Sequence, residues 1–383
     1  MQRVYLDNAA TSWPKPEAVY AAIDSYQREL GVAAGRGGYR DAEEVDRLIG
    51  KTRLAIAKLI NANSPSEIIF TQNCTDSLNI ALHGLLDSGD HVITSAAEHN
   101  SILRPLHELR SSGADVTTVT VDAMGQLTTK AIEKEIRDDT RLIAISHASN
   151  VTGTRQPIEE IAELAKQHDI LFLLDAAQTL GHEPIDVVSL PTQLLAAPGH
   201  KGLLGPLGTG VLYIHESLHG HLRSTRQGGT GTESESPNQP GKAPAKYEAG
   251  NLNVPGIIGL GAGIHHLAEN DYVSSGHLLE LSRQFIDGLA AIAGTNVYSK
   301  ANRYGIVSFN LDGLHPGELA TTLDSMAGIQ VRSGLHCAPL MHESMGTKAT
   351  GGTCRVSFGH FSKPEEVAKL LDCIETLLAN PLS

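Results

Sequence analysis

One lysine-bearing segment organises the interpretation of this sequence: Ala197-Pro198-Gly199-His200-Lys201-Gly202. It follows a short apolar run, 193–197, and an earlier apolar run, 171–174, ends in Asp175-Ala176-Ala177-Gln178. Apolar runs of this length between turn residues are typical of buried strands. An aspartate at one strand end and a lysine just beyond another suit a pyridoxal 5′-phosphate site. There the lysine forms a Schiff base with the cofactor aldehyde, and the aspartate pairs with the ring nitrogen.

Short apolar runs alternate with amphipathic helical patterns over the first half of the chain. The runs are 68–71, 91–95, 141–147, 170–174, 193–197 and 209–214. Between two of them, the segment 158–166 has apolar residues at helical spacing. Buried strands separated by amphipathic helices predict an α/β domain with a mainly parallel sheet.

The pattern changes after a long irregular segment, 227–246, which is rich in Gly, Ser, Pro and Glu and lacks periodicity. This composition predicts a loop. Beyond about Asn270 a helical pattern is followed by predicted strands at 304–311, 330–333 and 353–358. We predict a closing helix with Ser362 as its N-cap and Glu365 three residues later. These elements indicate a second domain of the α+β class.

The composition excludes several classes of protein. The 383 residues include 30 Lys and Arg against 43 Asp and Glu, a formal net charge of −13, and the basic residues do not cluster. Because nucleic acid requires a concentrated basic face, we expect no nucleic-acid partner. No apolar segment approaches membrane-spanning length, so we expect no membrane partner. The four cysteines lack metal-ligand spacing, which predicts free thiols in a cytoplasmic protein and no metal.

Three further segments could complete a cofactor site. Asn73-Cys74-Thr75-Asp76-Ser77 lies between an apolar run and a helical pattern, where N–H groups and hydroxyls could bind phosphate. An ordinary helix cap is the alternative. His99 follows a strand end and could stack on the cofactor ring, or could be a packed or surface residue. Asn150 could donate a hydrogen bond to the phenolic oxygen of the cofactor, or could be a turn residue in 150–153.

The second informative segment contains a cysteine: Arg332-Ser333-Gly334-Leu335-His336-Cys337-Ala338-Pro339. A nearby positive charge increases the thiolate fraction of a cysteine, and the thiolate is the nucleophilic form. The Gly, His and Pro around Cys337 suit a loop, although a buried structural cysteine is the alternative. Arg355 could hold a substrate α-carboxylate with its planar guanidinium, or form a surface ion pair. We interpret the remaining cysteines as packing residues: Cys74, Cys354 and Cys373.

In their order along the chain, these segments resemble the pyridoxal-phosphate-dependent cysteine desulfurases and selenocysteine lyases of the class V aminotransferase group. The resemblance covers nearly the whole chain, and the ordered set is far more specific than any single motif. The matching motifs are Tyr5-Leu6-Asp7-Asn8-Ala9-Ala10-Thr11, Glu98-His99-Asn100, Ser149-Asn150-Val151-Thr152-Gly153, Asp175-Ala176-Ala177-Gln178, Gly199-His200-Lys201, Glu248-Ala249-Gly250-Asn251, the Arg332-to-Pro339 segment and Arg355-Val356-Ser357-Phe358-Gly359.

The resemblance implies the fold of type I pyridoxal-phosphate enzymes, with a large α/β domain around a mainly parallel, seven-stranded sheet and a smaller α+β domain. We assign the large, cofactor-binding domain to residues 15–265. The small domain then combines residues 1–14 with 266–383 and contains the Cys337 loop. The resemblance also implies a homodimer.

The resemblance implies cofactor contacts for each matching residue. Lys201 would form the Schiff base and shuttle the Cα proton, and Asp175 would keep the ring nitrogen protonated. His99 would stack on the ring and could act as an acid or base. The other cofactor contacts are assigned to Gln178 at the phenolic oxygen, to Cys74, Thr75 and His200 at the phosphate, and to Thr230 and Asn251 at the phosphate of the neighbouring subunit.

The resemblance further implies that L-cysteine is converted to L-alanine, while its sulfur passes to Cys337 as a persulfide and then to an acceptor protein or thiol. Asn150, Arg355 and Arg332 would hold the substrate. One alternative is a selenocysteine lyase. Another is an aminotransferase or epimerase of the same fold, which would have no use for the Cys337 loop. Iron–sulfur cluster assembly, thio-cofactor synthesis and selenium metabolism remain open as destinations of the sulfur.

Three residues depart from the family pattern. Pro198 stands where the family often has a phosphate-binding serine, so one hydroxyl is lost. Asn251 replaces a threonine that reaches the neighbouring subunit, and it can still donate a hydrogen bond with a different reach. Tyr39 stands where a histidine is common.

Overall fold

The computed structural model describes residues 3–35, 37–270 and 276–379. Its strands in chain order are β1 (Val4–Tyr5), β2 (Ile68–Thr71), β3 (His91–Ser95), β4 (Asp115–Val119), β5 (Thr140–Ser146), β6 (Leu171–Asp175), β7 (Leu194–Pro198), β8 (Gly210–Ile214), β9 (Thr295–Val297), β10 (Ile306–Leu311), β11 (Ile329–Gln330), β12 (Arg332–Gly334) and β13 (Thr353–Ser357). Its helices are α1 (Glu17–Ser25), α2 (Arg40–Leu59), α3 (Cys74–Leu85), α4 (Asn100–Ser111), α5 (Thr129–Glu133), α6 (Ile158–Gln167), α7 (Val254–Asn270), α8 (His277–Ala291), α9 (Pro316–Ala327), α10 (Pro339–Ser344) and α11 (Pro364–Ala379).

The described residues contain a seven-stranded sheet with the order β2-β8-β7-β6-β5-β3-β4. Strand β8 is antiparallel to both of its neighbours, whereas the pairs from β7 to β4 are parallel. The predicted α/β fold with a mainly parallel sheet is therefore confirmed. Ligands bind at the carboxyl edge of such sheets. At that edge the strands end in Ser95, Ser146, Asp175 and Pro198.

Helices cover both faces of this sheet, which explains why its inner strands β6 and β7 are almost entirely apolar. On one face, Ile145 and Phe172 belong to a core cluster with residues of α2, α6 and α7. On the other face, Leu142 and Leu173 belong to a cluster with residues of α3 and α4. The strands that end at the carboxyl edge are thus held from both sides.

A second sheet in the described part of the chain has four antiparallel strands in the order β12-β13-β10-β9. Phe309 of β10 and Val356 of β13 are buried in a cluster with residues of α8, α9 and α11. Val4 and Leu6 join this cluster, and β1 pairs in parallel with β11. The N-terminal residues therefore pack with C-terminal elements. The domain boundaries given above stay a prediction.

Two predicted elements differ from the observed ones. The predicted strand 330–333 consists of β11 and β12, which belong to different sheets. The closing helix begins at Pro364, since proline suits the first helical position. Ser362 is not its cap; the Ser362 hydroxyl instead accepts a hydrogen bond from the N–H of Gly359 (3.0 Å). The segment 227–246 has neither helix nor strand, as predicted. No helix in the described residues is long and apolar enough to cross a membrane.

Candidate active site

A cavity of about 220 Å³ lies at the carboxyl edge of the seven-stranded sheet. Its wall includes the ends of β5, β6 and β7, the start of α3, and residues of β12 and β13. Predicted site residues in this wall are Cys74, Thr75, His99, Asn150, Asp175, Gln178, His200, Lys201, Arg332 and Arg355. The fold therefore brings together residues that the sequence places far apart.

The turn that contains Lys201 is fixed by its neighbours. The Ser12 N–H donates to the carbonyl of His200 (3.0 Å), and Ser12 Oγ donates to the carbonyl of Lys201 (2.9 Å). Gly202 packs against the turn after β6, where a Cβ would lie 2.3 Å from the carbonyl oxygen of Leu180. A side chain at Gly202 would push these two turns apart, so glycine allows the lysine to approach the end of β6.

The amine of Lys201 lies in a mixed electrostatic environment. Burial, followed by the Arg355 guanidinium, lowers the pKa of Lys201 from 10.5 to about 8, while Cys74 and Asp175 act in the opposite direction. A fraction of the amine is therefore neutral near neutral pH. A neutral amine can attack a carbonyl carbon and accept a proton, and the predicted role requires both.

Asp175 ends β6 and is buried. Its Oδ1 accepts the Ala177 N–H (2.9 Å) and lies 3.5 Å from Cys74 Sγ. Burial raises the pKa of Asp175, whereas the Ala177 N–H and Lys201 lower it. A cationic ring nitrogen beside this carboxyl would favour its ionised form. The interpretation of Cys74 as a packing residue is incomplete, because its buried thiol also contacts Asp175.

His99 is the N-cap of α4, and its Nδ1 accepts the Ser101 N–H (3.1 Å). The proton of the neutral ring is therefore on Nε2. Burial, followed by Lys201, lowers the pKa of His99 to about 4, so the ring is neutral at physiological pH. Ser101 Oγ also lies 2.7 Å from Thr75 Oγ1, which joins the predicted ring-stacking residue to the predicted phosphate site.

The start of α3 and the side chain of His200 fit an anion. The first N–H groups of a helix lack intrahelical acceptors, and Cys74 and Thr75 begin α3 in the cavity wall. Within the described residues, His200 Nδ1 is buried without a hydrogen-bond partner. Burial, followed by Lys201, lowers the pKa of His200 to about 3. With Lys201 and Asp175 in the same wall, the residues present fit pyridoxal phosphate.

Arg355 is buried, with 1% of its side chain exposed, so the alternative of a surface ion pair is wrong. Its Nη2 donates to Asp7 Oδ1 (2.7 Å), and its Nη1 donates to the carbonyl of Asn150 (2.9 Å). Its Nε is buried and has no hydrogen-bond partner in the part of the chain that the structure describes. Arg355 is part of the cavity wall and thus retains one donor without a partner.

Backbone contacts anchor the Cys337 loop. The Asn150 side-chain amide donates to the carbonyl of His336 (2.7 Å), and the Asn100 N–H donates to the carbonyl of Cys337 (2.7 Å). His336 and Cys337 have φ angles of 49° and 60°, a left-handed conformation that is costly for residues other than glycine. The His336 ring is buried, and its Nε2 lies 3.0 Å from the carbonyl oxygen of Thr353.

The thiol of Cys337 is half-buried, whereas Cys74, Cys354 and Cys373 are buried; all four are free. The sulfur of Cys337 lies 3.6 Å from Arg332 Nη2. Because Arg332 is part of the cavity wall, one guanidinium links the thiol to the cavity.

Sequence and structure comparisons agree on one family for this chain. The model of the aminotransferase class-V family matches residues 4–370. The chain belongs to the class-V aminotransferase family. It is 38% identical over 380 residues to a probable cysteine desulfurase of Methanothermobacter thermautotrophicus, covering 98% of this chain and 94% of that protein.

Two further relatives of this chain have similar names. A cysteine desulfurase of Salmonella agona is 32% identical over 376 residues, covering 96% of this chain and 91% of that protein. The apo structure of a cysteine desulfurase from Thermococcus onnurineus NA1 has a TM-score of 0.91 at 33% identity and covers 98% of this chain and 95% of that one. The predicted family and fold class are confirmed, and these relatives bear out the predicted enzyme class.

Two predicted cofactor residues are not part of the cavity wall of their own chain. Thr230 and Asn251 are on adjacent segments, which a hydrogen bond from the Gly250 N–H to the Gly229 carbonyl joins (2.8 Å). Asn251 is exposed. The assignment of both residues to the phosphate site of the neighbouring subunit stays a prediction.

Several residues at the site were not predicted. Ser101 bridges His99 and Thr75, and Asp7 pairs with Arg355. A histidine followed two residues later by serine could have suggested a histidine cap that bonds Ser101. Nothing local pointed to Asp7, which lies 348 positions from its partner. Glu98 belongs to the matching motif Glu98-His99-Asn100, but no role was predicted for it.

Proposed function

We propose that this protein is a pyridoxal-phosphate-dependent cysteine desulfurase, which converts L-cysteine to L-alanine and transfers the sulfur to Cys337. The observation that supports it most directly is the cavity shared by Lys201, Asp175 and Arg355, with the Cys337 thiol 3.6 Å from another wall residue, Arg332. An aminotransferase needs no such thiol. Bound pyridoxal phosphate supplies an electron sink for the charge that develops at the substrate Cα.

Different residues bind different groups of the cofactor and the substrate. Lys201 holds the cofactor through its amine, and Asp175 holds the proton on the ring nitrogen. His200 and the start of α3 hold the phosphate, supported by the unpartnered Nδ1 of His200. Arg355 holds the α-carboxylate of the substrate, supported by its unpartnered Nε.

The sulfur transfer relies on Cys337 and Lys201. Lys201 Nζ takes the Cα proton, which its lowered pKa allows near neutral pH. Cys337 Sγ then attacks the substrate sulfur; the substrate Cβ–S bond breaks and a sulfur–sulfur bond forms on Cys337. Arg332, 3.6 Å away, stabilises negative charge on Sγ during the attack. One L-cysteine and one thiol thus give one L-alanine and one persulfide.

The wider context is also part of this proposal. A homodimer would let Thr230 and Asn251 reach the phosphate site of the second subunit; neither residue is part of the cavity wall of its own chain. An acceptor thiol or protein would take the sulfur from Cys337, which is accessible enough for contact with a partner. Four free thiols support a reducing, cytoplasmic location. Iron–sulfur cluster assembly is one destination that such an acceptor could serve.

The proposal is tested with wild-type protein and the variants Cys337→Ala and Cys373→Ala, each supplied with pyridoxal phosphate and L-cysteine. L-Alanine is assayed, and mass spectrometry follows the peptide that contains Cys337. We expect alanine and a gain of one sulfur atom on that peptide in the wild type and in C373A, whose substitution removes a buried cysteine. We expect C337A to keep the cofactor absorbance and to lose most alanine formation. A C337A rate equal to that of the wild type would refute the nucleophile assignment, and cofactor-loaded wild type without alanine formation would refute the activity.

A further inference from the structure

A carboxyl group lies behind the cavity without a role in the mechanism above. Glu98 is fully buried, with 0% of its surface exposed. Its Oε1 lies 2.6 Å from Ser95 Oγ, and its Oε2 lies 2.8 Å from the Ser146 N–H and 2.6 Å from Ser146 Oγ. No Lys or Arg in the described residues forms an ion pair with it. A buried carboxylate without a cation is costly, so its protonation state needs an explanation.

The hydroxyl of Ser146 lies between two carboxyl groups. It is 2.6 Å from Glu98 Oε2 and 3.4 Å from Asp175 Oδ2. A serine hydroxyl has one hydrogen to donate. If both carboxyls were ionised, the hydroxyl could satisfy only one of them, and a lone pair of Ser146 would face the other. One proton on either carboxyl removes this conflict.

The surroundings place that proton on Glu98. Asp175 receives the Ala177 N–H, contacts the Cys74 thiol and has the Lys201 amine nearby, all of which favour its anion. Glu98, in contrast, forms no ion pair with a cationic side chain in the described residues. Burial, and to a smaller extent the Asp175 charge, raises the pKa of Glu98 to about 7, although the hydrogen bonds from Ser146 and Ser95 act in the opposite direction.

We propose that Glu98 is a positioning residue, which stays protonated and passes a hydrogen bond through Ser146 to Asp175, thereby holding Asp175 as the anion that faces the cofactor ring. Glu98 Oε2 donates to Ser146 Oγ, and the Ser146 hydroxyl then donates to Asp175 Oδ2. No covalent bond changes. The inference rests on the proposed function only for the identity of the group that Asp175 faces.

The arrangement has a direct consequence for the cofactor. When Glu98 loses its proton, it takes the Ser146 hydroxyl for itself and deprives Asp175 of a donor. It also adds a second negative charge, which favours protonation of Asp175 and so weakens its pairing with a ring nitrogen. Removal of the Ser146 hydroxyl should therefore weaken the binding of the cofactor.

The first test needs no cofactor and no activity. Infrared spectra of the cofactor-free wild type are compared at neutral pH with those of Glu98→Gln, and the wild type is also prepared with ¹³C-labelled glutamate. We expect a carbonyl stretch of a protonated carboxylic acid, which shifts on labelling and is missing from E98Q. The labelling shows that the band comes from a glutamate. A shift of this band in Ser146→Ala, which removes a hydroxyl 2.6 Å from Glu98 Oε2, assigns it to Glu98 even if E98Q does not fold. Its absence from the wild type would overturn the proposal.

The second test compares Ser146→Ala with Ser95→Ala, which each remove one hydroxyl 2.6 Å from Glu98. Only Ser146 also reaches Asp175. Because hydrogen bonds to charged groups are strong, we expect S146A to weaken pyridoxal phosphate binding roughly tenfold, and S95A to change it by less than about twofold. The readouts are the dissociation constant of the cofactor and the pH titration of its visible absorbance. Equal effects of the two variants would refute the link through Ser146. Wild type that shows the infrared band but binds no cofactor would instead refute the proposed function.

Discussion

At the scale of single residues, Arg332 connects the cavity to the predicted nucleophile through a 3.6 Å contact with Cys337 Sγ. Substitution of Arg332 by Gln should slow the alkylation of Cys337 by iodoacetamide at neutral pH. We expect a decrease of roughly fivefold, which corresponds to the loss of about 1 kcal/mol from a half-exposed charge contact. Mass spectrometry of the cysteine peptides measures the rate.

Two buried cysteines serve as internal controls in the same experiment. Cys354 and Cys373 are buried and should stay unmodified in both proteins, so a general loosening of the fold would be visible at these positions. Arg332→Lys keeps a positive charge and should retain most of the reactivity. If Cys337 in R332Q reacts as fast as in the wild type, the guanidinium does not act on the thiol.

Lys201 and Asp175 could be predicted because each follows a strand of local apolar sequence, and the carboxyl ends of parallel strands share one edge. Contacts between distant segments could not be predicted in this way. The amide of Asn150 bonds the carbonyl of His336, 186 positions away, and so anchors the cysteine loop. The side chain of Glu98 turns inward to Ser146, which no local pattern indicates.

At the scale of elements, an ion pair joins α2 to Glu248, just after the long irregular segment 227–246. Arg53 of α2 donates to both carboxylate oxygens of Glu248 (2.7 and 2.9 Å), and Glu248 also accepts the Phe70 N–H (2.7 Å). The side chains are only 11% and 7% exposed. Because Glu248 comes shortly before Asn251, this pair fixes the segment that the proposed dimer would use.

Substitution of Glu248 by Gln should leave the buried Arg53 charge without its counter-ion, although Arg53 still donates to the carbonyl of Ile68. We expect a loss of about 3 kcal/mol in the free energy of unfolding. We also expect faster tryptic cleavage within 227–246, where Lys242 is exposed. Urea unfolding and limited proteolysis measure the two effects.

The matched control for E248Q is Asp87→Asn, which breaks the Arg223–Asp87 pair, 50% and 68% exposed. An exposed pair contributes little, so D87N should cost at most about 1 kcal/mol and leave the cleavage of the loop unchanged. Similar unfolding energies for E248Q and D87N would mean that the buried pair does not anchor the segment.

The elements that the sequence predicted well are the buried, apolar ones. Strand β4 was not predicted, because it lies at the sheet edge and its polar residues break the apolar run: Asp115 is exposed, and Thr117 and Thr118 are more accessible than Val116 and Val119. The predicted strand 330–333 is one short segment whose residues belong to two sheets. A linear pattern cannot show which partner strand each residue meets.

At the scale of the whole molecule, two buried histidines are in contact between the seven-stranded and the four-stranded sheet. His182 follows β6 of the seven-stranded sheet, and His360 follows β13 of the four-stranded sheet; their rings stack with centroids 5.2 Å apart. Burial lowers the pKa of His182 to about 4 and that of His360 to about 3. Burial lowers the pKa of further histidines in the same direction, namely His99, His200, His336 and His342.

These shifts fix the direction of the pH dependence of stability. A histidine in an unfolded chain has a pKa of about 6.5, so below that pH the unfolded state takes up protons that the folded state does not. The free energy of unfolding therefore falls as the pH drops from about 6.5 towards 4. Each such histidine contributes a loss of about 2 kcal/mol between about pH 7 and 5. Glu98 acts in the opposite direction, since its raised pKa favours the folded state in acid.

The stacked pair can be separated from the other histidines by substitution. In the double variant His182→Gln, His360→Gln, the unfolding free energies at about pH 7 and about pH 5 should differ by roughly 2–4 kcal/mol less than in the wild type. The reason is that the variant lacks two histidines that are protonated in the unfolded state at about pH 5 but not in the folded state. Urea unfolding of the cofactor-free proteins at one protein concentration measures this difference, since bound cofactor or association would shift it. His221→Gln, at an exposed position, should leave the difference unchanged. If the double variant matches the wild type, the acid sensitivity does not arise from the stacked pair, and the other buried histidines are the groups to substitute next.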